Sequence, residues 1–79
     1  MRTHTQDGHP IIASAPARKG MVKGSIVVAD ISTENPDEPF AVWWMRDEDG
    51  MTAEGSYREN LGDAIQEYVH RLRREYVLG

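Results

Sequence analysis

Six consecutive apolar residues, Phe40-Ala41-Val42-Trp43-Trp44-Met45, followed after Arg46 by Asp47-Glu48-Asp49-Gly50, constrain this chain more than any other stretch. Bounded by turn residues, a run of that length reads as a β-strand. Asp49-Gly50 is a strong hairpin signal because Asp and Gly tolerate the positive φ of a tight turn. A weaker strand pattern from Met51 to Tyr57 completes the hairpin. A two-residue Asp49-Gly50 turn pairs Arg46 with Ala53, Trp44 with Gly55 and Val42 with Tyr57. A three-residue Glu48-Asp49-Gly50 turn with a bulge shifts the pairing by one and sets Trp43 opposite Gly55. In both registers Trp43 and Trp44, being adjacent, point to opposite faces.

The rest of the chain supplies two further elements. Val22 to Ile31 reads as a strand whose centre, Ile26-Val27-Val28-Ala29, is apolar on both faces. Ser32 to Pro39, with two Pro and three acids, is a loop. Asn60 to Tyr76 reads as a helix. Asn60 is a suitable N-cap, Asp63 lies in the first turn, and Leu61, Ala64, Ile65, Tyr68, Val69, Leu72 and Tyr76 share one face. Residues 1–20 show no period and are interrupted by Pro10 and Pro16, which predicts a flexible, disordered tail. The expected fold is therefore α+β: a tail over 1–20, then a β-β-β-α domain over 21–79. Its three-stranded antiparallel meander carries the C-terminal helix on one face.

At 79 residues the core of such a domain is thin. With no Cys there is neither a disulfide nor a thiolate site, which fits a reducing compartment. No window is long and apolar enough to span a membrane, and the first residues lack a signal-peptide core, so a soluble cytoplasmic protein is expected. The net charge of −4 is unevenly spread. Residues 1–24 sum to +3, residues 25–60 to −7, and residues 61–79 to zero.

One helix leaves the other sheet face bare, and that face is assigned Trp43, Met45, Val27 and Ile31. Side chains of this size form a patch that a monomer rarely exposes. Its cover is a second copy, a partner protein, or the tail folding back through Ile11-Ile12; strand addition at an outer edge is a further route to a dimer. These four residues are the candidate partner-binding set. One Trp is expected to support folding, and replacing the other is expected mainly to change association.

Candidate chemistry is sparse. There is no Gly-rich phosphate loop and no nucleophile with a plausible base. The acids at 47–49 lack the spacing of a calcium loop, and His4, His9 and His70 are scattered, so neither metal nor cofactor is expected. Arg71, Arg73 and Arg74 with Lys19 and Lys23 form the basis of an alternative reading as a nucleic-acid-binding module. The acidic sheet opposes it, because phosphate contact needs cations on the docking face.

Over Phe40 to Arg74, the succession of aromatic strand, Asp-Gly turn, short strand and capped amphipathic helix resembles the arm-binding amino-terminal domains of phage tyrosine recombinases. That resemblance implies a sheet entering a DNA groove with basic side chains, whereas the matching strands here carry only Arg46 and Arg58. Phe40-Ala41-Val42 followed by Asp47 to Gly50 is similar to the first hairpin of HicB-type antitoxins, without the Pro-containing segment those place before the helix. In size and layout the chain resembles short bacteriophage accessory proteins. The resulting expectation is a small non-enzymatic protein–protein interaction module, a homodimer or a modulator of a partner protein.

Overall fold

A computed structural model describes residues 3–74. The protein is α+β, with four strands in the order β1 (Ile11–Pro16), β2 (Gly24–Asp30), β3 (Phe40–Arg46) and β4 (Thr52–Arg58), all antiparallel, followed by α1 (Leu61–Arg73). The helix starts as expected, with Asn60 Oδ1 accepting from the Asp63 backbone N–H at 2.9 Å. Tyr76, the last residue of the expected helical face, lies outside the described residues.

Residues 11–16 are not a flexible tail but the outer strand of the sheet, paired with β2 from Ile11↔Ala29 to Pro16↔Ser25. A two-residue turn at Gly20-Met21 joins them, with Lys19 and Val22 exchanging backbone hydrogen bonds at 3.0 and 3.1 Å. Gly20 takes φ 59°, a conformation that favours glycine. The sheet therefore has four strands, not three. β1 hides from periodicity because a bulge between Ile11 and Ala13 breaks its alternation, while Ala13 and Ala15 give little contrast. Pro16 is tolerated because β1 is an edge strand.

The hairpin forms neither anticipated turn. Arg46 and Met51 close a four-residue loop, Asp47 to Gly50, through Arg46 N–H to Met51 O and Gly50 N–H to Arg46 O, both 2.8 Å. Asp49 fixes this loop, since its carboxylate takes the Arg46 guanidinium and accepts from Met51 N–H at 3.0 Å. Pairing begins at Met45↔Thr52 and Trp44↔Ala53, then slips by one residue to Val42↔Ser56. The slip is a bulge at Glu54, whose φ of 57° is left-handed. Trp43 thus comes to lie over Gly55, where an added Cβ would meet the indole nitrogen at 2.6 Å.

Two apolar layers result. On the helix side, Ile26, Val28, Val42 and Trp44 pack with Ala17 and Ala64, flanked by Phe40, Ile65, Tyr68 and Leu72. On the back, Val27, Ala29, Ile31, Ala41, Trp43 and Met45 pack with Ile11. Trp44 lies against Gly24, leaving no room there for a Cβ, and its indole N–H donates to Ala17 O at 2.7 Å. Trp43 and Trp44 are 9 % and 8 % exposed, which corrects the expectation that only one supports folding. Trp43→Ala and Trp44→Ala should each lose about 3–5 kcal/mol by urea denaturation, as for core aromatics; a loss below about 1 kcal/mol in either contradicts this packing.

Acid stability gives a second test. Hydrogen bonding to Arg46, and then to Met51 N–H, lowers the Asp49 carboxyl from 3.8 to about 2. Stability from this group is fully present above its ordinary value and is lost as pH falls through about 2. Asp49→Asn should therefore be less stable at neutral pH and show a shallower acid decline across that window. An unchanged acid profile would show that Asp49 does not support the loop.

Candidate functional site

The back face is covered by the chain itself. Residues 3–10 form a compact loop in which Thr5 N–H donates to His9 O, and Gly8 N–H to Thr5 O, each at 3.0 Å. The loop is tied to β1 through Ile11 N–H to Thr3 O at 2.9 Å, and to the β3–β4 turn through Gln6 N–H to Gly50 O at 3.0 Å. Thr5 and His9 are buried, and the His9 ring tilts against Trp43 with centroids 5.9 Å apart. The proposed partner-binding set, Trp43, Met45, Val27 and Ile31, is therefore buried rather than presented. Of the covers considered from sequence, the N-terminal segment folding back is the one in place. Its anchors are Thr5 and His9 as well as Ile11, while Ile12 is 45 % exposed.

A pocket of about 560 Å³ opens on this side beside the loop, lined in part by Asp7, His9, Glu34, Trp43, Gly55 and Tyr57. Tyr57 stands edge-on to Trp43, with centroids 6.3 Å apart and planes at 87°.

Exposed apolar side chains lie elsewhere, at Ile12, Met21, Val22 and Met51 on the strands and turns and at Leu61 and Val69 on α1. Only Ala64 of the helix is buried. Ile65, Tyr68 and Leu72 are half-buried against the sheet, and Leu61 and Val69 are 42 % and 45 % exposed. Helical spacing sets Leu61, Ile65, Val69 and Leu72 along one flank. Glu67 and Arg71 lie on the opposite flank and reach β4. There Ser56 Oγ accepts from Arg71 at 2.7 Å and donates to Glu67 at 3.2 Å, while Arg58 lies 3.5 Å from Glu67.

The five cations of the nucleic-acid reading are only partly gathered. Lys19, Arg71 and Arg74 line a cleft of about 350 Å³ with His70, Glu54 and Glu67. Lys19 is held over the Trp44 ring, 5.1 Å from its centroid, and pairs with Glu54. Bonding to Lys19, with attraction from Arg71 and Arg74, lowers the Glu54 carboxyl from its ordinary value. Lys23 lies at the end of the sheet among Met21, Val22, Arg46, Asp47 and Glu48, and Arg73 is exposed on α1. Two carboxylates thus answer the three gathered cations, and among the described residues no continuous basic stripe forms.

No helix among the described residues is long and apolar enough to cross a membrane. No protein-family profile, curated protein or solved structure matches this chain.

The sequence offered the N-terminal segment as one cover among several, through Ile11-Ile12, but not its Thr5 and His9 anchors; the available signal for those was Thr5-Gln6-Asp7-Gly8-His9, a turn-forming stretch ahead of Pro10. Removing residues 1–9 should leave the sheet folded while exposing Trp43. The expected readout is red-shifted tryptophan emission and binding of a hydrophobic dye. Unchanged emission from the shortened chain would show that the loop does not seal this face.

Proposed function

We propose that this chain is a small, non-enzymatic protein–protein interaction module that self-associates through the apolar flank of α1. The observation that carries this reading is the exposure of Leu61 and Val69 at 42 % and 45 % on a helix with one buried residue. A helix flank of this kind is ordinarily covered. A second copy is the occupant favoured by the helix dipole. Two antiparallel copies of α1 set the positive first turn of one helix beside the negative last turn of the other, with Arg73 in that last turn at the edge of the seam.

Leu61, Ile65, Val69 and Leu72 form the seam, and a two-fold axis near the middle of α1 brings each Val69 towards the partner's Ile65. Glu59 and Arg73 flank it. The nucleic-acid alternative is less well supported, because Glu54 and Glu67 already engage the cations nearest one another.

Light scattering should give twice the chain mass at high protein concentration, and Val69→Glu should return the monomer with its circular dichroism unchanged. A wild-type monomer at roughly 1 mM, a concentration that detects even weak pairing, would overturn self-association. A Val69→Glu dimer would overturn the assigned seam.

A further inference from the structure

His9 and Glu34 sit side by side in the wall of the back-face pocket without forming a hydrogen bond. His9 Nε2 lies 3.1 Å from Glu34 Oε1, the distance of an ion pair were the ring protonated, yet the nitrogen makes no hydrogen bond. The side chain of His9 is 8 % exposed, so water satisfies it poorly. Its other ring nitrogen, Nδ1, lies 3.4 Å from Thr5 Oγ1, which also accepts from His9 N–H at 3.2 Å. Assigning the ring proton to Nδ1 uses this hydroxyl as its acceptor and leaves Nε2 as a bare lone pair beside a carboxylate. Two acceptors held this close side by side suit a donor that reaches both from the pocket.

The surroundings specify the donor. Asp7 and Glu34 add negative charge, Glu54 is engaged by Lys19, and among the described residues no Lys or Arg lines the pocket. Trp43 and Tyr57 supply an aromatic wall, with Tyr57 42 % exposed. Gly55 keeps the floor open, since a Cβ there would also come within 3.0 Å of the Tyr57 hydroxyl. Carboxylates at this density repel phosphate, which argues against a nucleic-acid ligand. Among the described residues no group of three or more His, Asp or Glu is placed to hold a metal ion.

We propose that this pocket receives an arginine side chain of a partner protein, its guanidinium donating to His9 Nε2 and Glu34 Oε1 while its plane packs against Tyr57. A planar fork of parallel N–H groups suits two adjacent acceptors and a ring face better than a compact ammonium does. The acidic run of residues 25–60 draws a basic segment towards the site. The site lies on the sheet face away from α1, so it stands or falls independently of self-association.

The test uses Nα-acetylarginine amide as the probe, followed by amide and imidazole NMR of the full chain. Saturable shifts are expected at His9, Glu34 and Tyr57, with the lysine counterpart about tenfold weaker and Glu34→Gln weakening arginine binding about tenfold. Glu34 is 68 % exposed, so that variant tests binding without removing a core residue. No saturable shift up to roughly 10 mM, or an equal response to lysine or to matched sodium chloride, would overturn the proposal. So would imidazole nitrogen shifts showing a proton resident on His9 Nε2 in the free protein, because the ring would then be a donor rather than an acceptor.

Discussion

Strand β3 has no polar face. From Ala41 to Met45 every side chain is buried, alternately against the helix side and against the back. A sheet with one solvated side alternates apolar and polar residues, and this strand does not. The chain must therefore cover both sides of the sheet with few residues. Helix α1 covers one, and residues 3–10 cover the other. The second cover is thin, being a loop held by a few backbone hydrogen bonds and by His9 against Trp43.

The two tryptophans make this arrangement compact. Each lies over a glycine on a neighbouring strand, Trp44 over Gly24 in β2 and Trp43 over Gly55 in β4. Removing the Cβ beneath a large ring lets it lie flat against the sheet, which suits a layer with little depth. The Glu54 bulge brings Gly55 under Trp43, and its left-handed backbone is the local strain that accompanies the fit. The same bulge places Glu54 beside Lys19, so a packing adjustment on one face becomes an ion pair at the edge of the cationic cleft.

Much of this was legible in the sequence. The cores of β2, β3 and β4 and the capped start of α1 follow from apolar runs, Asp-Gly chemistry and helical spacing. The opposition of Trp43 and Trp44 follows from the alternation of strand side chains. β1 was not legible, because its bulge and its alanines erase the alternation on which such reading depends. The hairpin register was legible only as two alternatives: Arg46–Asp49 pairing selects a four-residue loop that neither includes, and the bulge then restores the pairing of the three-residue alternative, with Trp43 over Gly55. The back-face cover depends on long-range contacts such as Gln6 to Gly50, which leave no local pattern. For that reason the sequence pointed to Trp43 as a binding surface when its first role is structural. Of that surface the pocket beside His9 and Tyr57 stays open.

The account rests on the N-terminal loop being docked on β3 rather than trailing in solvent. Native-state hydrogen exchange at the Gln6 amide tests this directly, because its hydrogen bond to Gly50 O joins the loop to the far end of the sheet. The docked arrangement predicts exchange well below the rate of an unprotected chain, slowed together with Thr5 and Ile11. Exchange of Gln6 at the unprotected rate while the β3 amides remain protected would contradict it.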